Sequence, residues 1–435
     1  MPWLLNFVYV LLCVAIAPLI LYKRLRYGKY REGWNQKLFG NLPRRDSTSA
    51  CVWFHAVSVG EVLQLKTVVE QLLELRPDCQ IVITTTTNTG QAVAVEKYPD
   101  CHVCYFPLDF TWSVRRAIQQ IKPSAIVLVE LELWPNFIIE ADRLGIPLAL
   151  INGRMSERSH RGYRRIRPLM KMLFSRFSTI AVQNGTYASR LLDLGGLANR
   201  LHVTGSVKFD HIETNRSNSQ TLAMRQVFGI SNDELVFVAG STQSPEESLA
   251  IDAWLSAREE FPKLRLIVVP RHKERFEEVA ELVLARQLPL IRRSQNTALA
   301  ADSSMPPVIL LDTLGELSAC WGMADVAFVG GSLTNRGGQN MIEPAAYGAA
   351  VTFGPNTHNF QDVVAALLEK DAAIVVQDGT ALTDTLLQLL RNTELRSSMG
   401  QSGQQFVLTQ QGATAKTVGL IADLLPNLSQ RKAAA

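Results

Sequence analysis

Short runs of β-branched and aliphatic residues alternate along this chain with stretches whose apolar residues recur every three to four positions, a rhythm that points to parallel α/β architecture. Strands are expected over 51–57, 81–87, 103–106, 124–130, 147–151, 178–182 and 201–204. Between them, stretches such as Glu61 to Leu75 and Thr111 to Ile121 are long enough for the crossover helices that parallel strands require. The rhythm breaks in a polar stretch, HIETNRSNSQ, and resumes with strands expected over 235–240, 264–269, 307–311, 325–329, 349–353 and 373–376. A chain of 435 residues with 47% hydrophobic content can fill two cores. The expected organisation is therefore two doubly wound, Rossmann-like domains at 23–210 and 233–400, joined by a linker at 211–232. Residues 401–435 are expected to form a helix packing back on the first domain, followed by a tail. Two such domains facing each other leave a cleft at the carboxyl ends of their strands, where ligands of this class bind.

Ahead of the first strand lies WLLNFVYVLLCVAIAPLILY, Trp3 to Tyr22, apolar but for Asn6 and Pro18 and followed by Lys23, Arg24, Arg26, Lys29 and Arg31. At ~1.5 Å per residue such a helix reaches about the 30 Å of a bilayer's hydrocarbon core, and the basic residues after it assign the rest of the chain to the cytoplasm. No basic residue precedes the run and no small-x-small site follows it, which disfavours a cleaved signal peptide. Residues 1–22 read as a membrane anchor, either spanning or, with Pro18 kinking it, monotopic and tilted. If anchor and catalytic loops are separate, removing 1–22 leaves a folded, soluble enzyme.

The net charge is only +4, yet it is clustered: 23–45 holds eight Lys or Arg against Glu32, and Arg154 to Arg176 holds eight against Glu157. Such clusters suit an anionic surface: a phospholipid leaflet, a phosphorylated lipid or a nucleic acid. A solvated helix face accounts for the second cluster equally well. The six cysteines have no framework spacing, and the one C-x-x-C, Cys101 to Cys104, has no second ligand pair nearby. A reduced cytoplasmic chain without a metal site or cofactor fits this pattern.

The residues able to carry chemistry lie where strands give way to helices. Glu61 follows the first strand and falls in the first turn of a helix, where the helix dipole favours an ionised carboxylate, as a general base requires. An ordinary first-turn acid would look the same. Glu130 and Glu132 follow the strand AIVLV, and share a face if that strand continues; pairing with a buried Arg is the structural alternative. Lys208 follows the strand LHVTG, placed to meet a carboxylate or phosphate, or else to be solvated. In the second half, Arg271, after Pro270, can hold a phosphate bidentately. The backbone around Leu314, Gly315 and Glu316 precedes a helix and can receive an anion. The glycine-rich segment around Gly330, Gly331, Gly337 and Gly338 leads into Asn340, Met341, Ile342 and Glu343, where a carboxylate can accept from ribose hydroxyls. Neither GxGxxG nor GxxxxGK[ST] occurs, nor Asp-x-Asp, so dinucleotide, P-loop and metal-held diphosphate readings lose their main support.

Taken together, SVGE at 58–61, ELELWPN at 130–136, GSVKFD at 205–210, VPRH at 269–272, the GE of 315–316 and FVGGSLTNRGGQNMIEPAAYG at 328–348 resemble the 3-deoxy-D-manno-octulosonic acid (Kdo) transferases of lipid A biosynthesis. The resemblance implies a GT-B fold, CMP-Kdo as donor, a lipid A precursor such as lipid IVA as acceptor, no cofactor, no nucleic acid, and work at the cytoplasmic leaflet of the inner membrane. It implies that Glu61 is the general base and that Glu130 and Lys208 stabilise the transition state. It also implies CMP contacts from Pro270, Arg271, Leu314, Gly315, Glu316, Asn340, Met341, Ile342 and Glu343. Two positions depart from the family pattern: Gln243 and Gln339 stand where His is common, and Gln cannot carry a positive charge. A UDP-sugar transferase of the same fold, or a non-catalytic protein binding anionic lipid or nucleic acid, remains the alternative.

Overall fold

A computed structural model describes residues 2–27, 32–45, 49–210, 212–295 and 305–426. Lys29 and Arg31 of the basic run, and the tail beyond residue 426, lie outside the described residues. The chain divides into two compact units, Met1–Asp210 with Gln411–Ala435, and His211–Gln410.

The first unit is built on a parallel sheet of seven strands: β1 (Ala50–His55), β2 (Cys79–Thr85), β3 (His102–Tyr105), β4 (Ala125–Val129), β5 (Leu148–Gly153), β6 (Thr179–Val182) and β7 (Leu201–Val203), in the order β3-β2-β1-β4-β5-β6-β7. Its strands read as continuous apolar runs because both faces are covered. Cys51 and Trp53 of β1 enter one core with Ile126 and Leu128, while Ala50, Val52 and Phe54 enter the other with Ala125 and Val127. The chain lays down β1 to β3 in one direction and then returns to place β4 on the free side of β1. The loops after β1 and β4 therefore flank the switch point, where a crevice opens in sheets of this kind.

The second unit repeats the plan with β8 (Val236–Thr242), β9 (Arg265–Pro270), β10 (Leu290–Arg292), β11 (Val308–Leu310), β12 (Val326–Val329), β13 (Ala350–Phe353) and β14 (Ala373–Val375), in the order β10-β11-β9-β8-β12-β13-β14. Its switch point lies between β8 and β12. The three-residue β10 is the one strand of the two sheets not expected from sequence; it ends in Arg292 and lacks a continuous apolar run.

Three expectations about organisation need revision. The 211–232 segment is not an open linker: the helix Ser219–Val227, capped by Asn218, buries Thr221 and Met224 and packs on the helix Leu317–Met323. The expected boundary at 400 falls inside the helix Thr393–Gln410, whose residues Met399, Gly400, Gly403, Phe406 and Val407 are buried within the second unit. The chain joins the first unit only from Gln411, where the helix Ala413–Ala422 packs on the helix Val59–Leu75. Asp210 fixes that return, accepting from the backbone N–H of Gly412 at 2.6 Å, of Ala413 at 3.3 Å and of Thr414.

The third concerns the anchor. The helix Pro2–Tyr27 is not separate from the folded unit: Asn6, only 5% exposed, donates to Thr111 Oγ1 at 2.7 Å and accepts from Asn136 Nδ2, next to the Glu130–Trp134 loop, at 3.2 Å. A polar residue inside an apolar run is costly to bury alone, and here it is bonded on both sides.

Candidate active site

In the first unit, Ser58 caps the helix Val59–Leu75, and Glu61 lies in that helix's first turn. The Glu61 carboxylate turns back on the loop, with Oε1 accepting from the Ser58 hydroxyl at 2.7 Å and Oε2 from the Val57 N–H at 2.8 Å. The helix dipole was expected to favour the charged form, but burial outweighs it and raises the Glu61 pKa, with the neighbouring Glu130 adding to the rise. A carboxylate so raised is a better proton acceptor than a solvated one.

Strand β4 stops at Val129, so Glu130 and Glu132 are not on a shared strand face. Glu130 instead takes a left-handed conformation, φ 58°, which is rare outside glycine and turns the chain out of the sheet. Its carboxylate pairs with Arg154, at the end of β5, at 2.8 Å; this Arg is half exposed, not buried. Glu132 accepts from the Trp134 indole N–H at 3.1 Å, and burial together with the charges of Glu61 and Glu130 pushes its pKa up to about 7. Three carboxylates thus bear on one another. Next to them Asn152, also left-handed at φ 52°, donates to Gln64 at 2.7 Å, and its buried Oδ1 lacks a partner among the described residues. Non-glycine residues held at positive φ cluster at functional sites, where the surroundings enforce them. Lys208 is exposed on the turn Val207–Phe209, and that turn packs against the helix carrying Glu61 through the buried Val207.

In the second unit, Arg271 is exposed at the end of β9 and forms no ion pair among the described residues. Pro270 beside it is buried. Leu314 is 70% exposed and Gly315 adopts φ 86°, while the Glu316 carboxylate is engaged by Arg293 at 2.9 Å and by the Thr313 hydroxyl. Asn340 donates to Glu343 at 2.9 Å and accepts from the Ile342 N–H at 3.1 Å. Burial raises the Glu343 pKa. Met341 and Ile342 point into the core, so contacts from these two to a ligand would come from their backbone.

Glu246 was not singled out from sequence, yet it organises this loop. Fully buried after β8, it accepts from the backbone N–H of Gln243 at 2.8 Å, Gly331 at 2.7 Å, Ser332 at 3.0 Å and Leu333 at 2.9 Å. The two Gln departures meet here: a Cβ on Gly331 would lie 3.2 Å from the amide nitrogen of Gln339 and 3.6 Å from that of Gln243. Asn152 was likewise not singled out from sequence, and Glu132 was noted only as the neighbour of Glu130, with no role of its own. The paired acids at 130 and 132 and the Asn-Gly that ends β5 were the available signals.

Two doubly wound units, each with glycine-rich or acid-bearing loops at its switch point, define the GT-B class of fold. MurG from Acinetobacter baumannii has the same fold, with TM-score 0.53 and 16% identity over 86% of this chain and 99% of that one. Residues 30–211 match the family model described as 3-Deoxy-D-manno-octulosonic-acid transferase (kdotransferase). The 3-deoxy-D-manno-octulosonic acid transferase of Haemophilus influenzae is 33% identical over 85% of this chain and 86% of its own. That of Bordetella pertussis is 32% identical over 96% and 99%. The chain belongs to the 3-deoxy-D-manno-octulosonic acid transferase family.

Proposed function

We propose that this enzyme transfers Kdo from CMP-Kdo to a lipid A precursor, lipid IVA, at the cytoplasmic leaflet of the inner membrane, with inversion at the anomeric carbon and without a metal. The observation that carries the reading is the buried Glu61 carboxylate, oriented by Ser58 and Val57 at the switch point of the first sheet. Glu61 takes the proton from an acceptor hydroxyl as its oxygen attacks the anomeric carbon opposite the departing CMP. Glu130, held by Arg154, and Lys208 stabilise the charge that develops.

The second unit binds the donor. Arg271 and the backbone from Leu314 to Glu316 meet the CMP phosphate, while Asn340 to Glu343 meet the nucleoside, with the Glu343 carboxylate accepting from ribose hydroxyls. Holding the leaving phosphate by fixed donors requires no metal. The helix Pro2–Tyr27, apolar and long enough to cross a membrane, attaches the enzyme to its lipid substrate's bilayer.

Turnover of labelled CMP-Kdo with lipid IVA, measured with and without excess chelator, tests the reading. Transfer that persists under chelation, giving the inverted anomer, is expected. A chain that ignores CMP-Kdo but turns over a UDP-sugar overturns the donor assignment.

A further inference from the structure

The N-terminal helix is tied to the first unit at its beginning. Asn6 bonds to Thr111 and Asn136, and the Tyr9 hydroxyl donates to Asp109 at 2.9 Å while its ring meets Phe110 edge-on at 6.0 Å. One to two turns on, Leu12, Cys13 and Ile16 line a groove of about 180 Å³ with Leu108, Phe110 and Trp134. The chain after the helix comes back to this same place. Leu108 N–H donates to Lys37 O at 2.7 Å, Tyr105 N–H to Gln36 at 2.7 Å and Trp112 to Leu38 O at 3.0 Å.

These contacts bear on how the helix can sit in a bilayer. At ~1.5 Å per residue, Asn6 and Arg24 are about 27 Å apart along the axis, close to the thickness of the hydrocarbon core. In a spanning helix whose basic end faces the catalytic unit, residue 6 would lie on the far side of the membrane. Here residue 6 and residue 37 are both held by the 105–113 segment of one folded unit. The helix therefore departs from and returns to one side.

Beyond Asn6 and Tyr9 the helix is exposed nearly all round: Phe7, Val10, Leu11, Val14 and Leu19 are exposed, and so in large part are Leu12 and Ile16 beside the groove. A recess beside the docking loop is lined by Arg44, Arg45, Trp112, Arg115, Arg116 and Lys122, and Trp112 stacks on Phe110 of the groove at 4.5 Å. Arg45 is spent on backbone carbonyls and Arg115 on Glu140, but Arg44, Arg116 and Lys122 form no ion pair among the described residues. An exposed apolar helix held beside cations without ion-pair partners matches the hydrocarbon and headgroup layers of a single anionic leaflet.

We propose that the Pro2–Tyr27 helix is monotopic: it lies in one leaflet of an anionic phospholipid bilayer, docked on the catalytic unit through Asn6 and Tyr9, and does not cross the membrane. This rests on the membrane reading given under Proposed function and gives it a definite topology. The N-terminus then stays on the catalytic side, and the groove lined by Trp134 opens toward the leaflet.

The test uses the full chain in native membranes. With Cys13→Ser and a short polar tag bearing one cysteine ahead of Met1, a membrane-impermeant maleimide should label the tag from the face bearing the catalytic units and not from the opposite face. Labelling from the opposite face overturns the proposal. In a second arm, Asn6→Cys with Thr111→Cys should be bridged by a short bis-maleimide, read as a linked peptide by mass spectrometry. Bridging of a control pair, Gln36→Cys with Tyr105→Cys, without bridging of the 6–111 pair would also overturn it. Neither arm depends on Kdo transfer. A chain that fails to sediment with membranes refutes the membrane reading itself, whereas a membrane-bound chain with its tag on the far face refutes only the topology.

Discussion

Ser58 and Glu61 hold each other: the Ser58 hydroxyl donates to Glu61 Oε1 at 2.7 Å, and its oxygen accepts from the Glu61 N–H at 3.4 Å. This reciprocal cap both starts the helix and fixes the carboxylate. Glu61→Gln keeps the volume and most of the hydrogen bonding but cannot take a proton. Turnover should fall by roughly 10²–10⁴-fold, while CMP-Kdo affinity, carried by the other unit, is unchanged. Rapid-mix turnover beside equilibrium donor binding checks this; an active variant, or one impaired only in donor binding, removes Glu61 as the base.

The carboxylate cluster should also show in pH profiles. Glu132, raised to about 7, and Glu61, raised by burial and by Glu130, both bind protons more tightly in the folded chain than when unfolded. For acids shifted upward, stability is greatest below the unfolded pKa, and falls as pH climbs through the folded value, which for Glu132 is about 7. Glu132→Gln removes one charge from the cluster, so the acidic limb of kcat/KM should move to lower pH and the stability loss across that window should shrink. Because the groups titrate together, the limb reports the cluster and not one residue. An unmoved limb would mean that Glu132 does not act on the base.

What the sequence could not convey is instructive here. Apolar runs and crossover lengths located the strands of both sheets except β10, since doubly wound sheets write their burial into contiguous residues. The loops bearing Glu61, Glu130, Lys208 and Arg271 were legible for the same reason. The balance between dipole and burial at Glu61 was not, because desolvation is set by residues distant in sequence. Nor was the role of Glu246, whose four backbone donors come from its own loop and from residues 331–333. The docking of Asn6 depends on Thr111 and Asn136, over a hundred positions away.

Arg154, not a deeply buried Arg, is the ion partner of Glu130. If the two act as one unit, Glu130→Gln, Arg154→Met and the double variant should have similar turnover, with a coupling of about 0.5–3 kcal/mol in a double-mutant cycle. Arg154→Met should also raise the acidic limb of kcat/KM, because an unpaired Glu130 charge acts more strongly on Glu61. Strictly additive effects would separate the pair.

The docked helix predicts that deleting residues 1–22 does more than release the enzyme from membranes. Asp109 loses the Tyr9 hydroxyl, and Asn136 loses Asn6. Asn6→Leu removes the bonds to Asn136 and Thr111 while keeping the Tyr9–Asp109 bond, and leaving buried polar groups short of partners costs about 1–3 kcal/mol, readable as a lower chemical-denaturation midpoint in detergent. A deletion variant as stable as the full chain would show that the contacts add nothing to the fold.

Glu246 offers the sharpest test of how the second unit presents its glycine-rich loop. Its carboxylate satisfies four buried N–H groups, three of them from the consecutive residues Gly331, Ser332 and Leu333, which carry the chain away from β12 beside the switch point. Glu246→Ala leaves those donors unpaired at about 1–3 kcal/mol each, and risks unfolding the unit. Glu246→Gln is gentler: one oxygen remains, but the amide NH₂ now faces N–H groups that require an acceptor. The loop should shift while the core of the sheet stays intact. Donor affinity should therefore fall at least about tenfold, the equivalent of ~1.4 kcal/mol, with the pH dependence governed by the first unit unchanged. Calorimetric titration of CMP-Kdo into the Gln variant measures this directly. Wild-type affinity in a folded Glu246→Gln chain would show that the loop's position is set elsewhere, and that Glu246 does not organise the donor site.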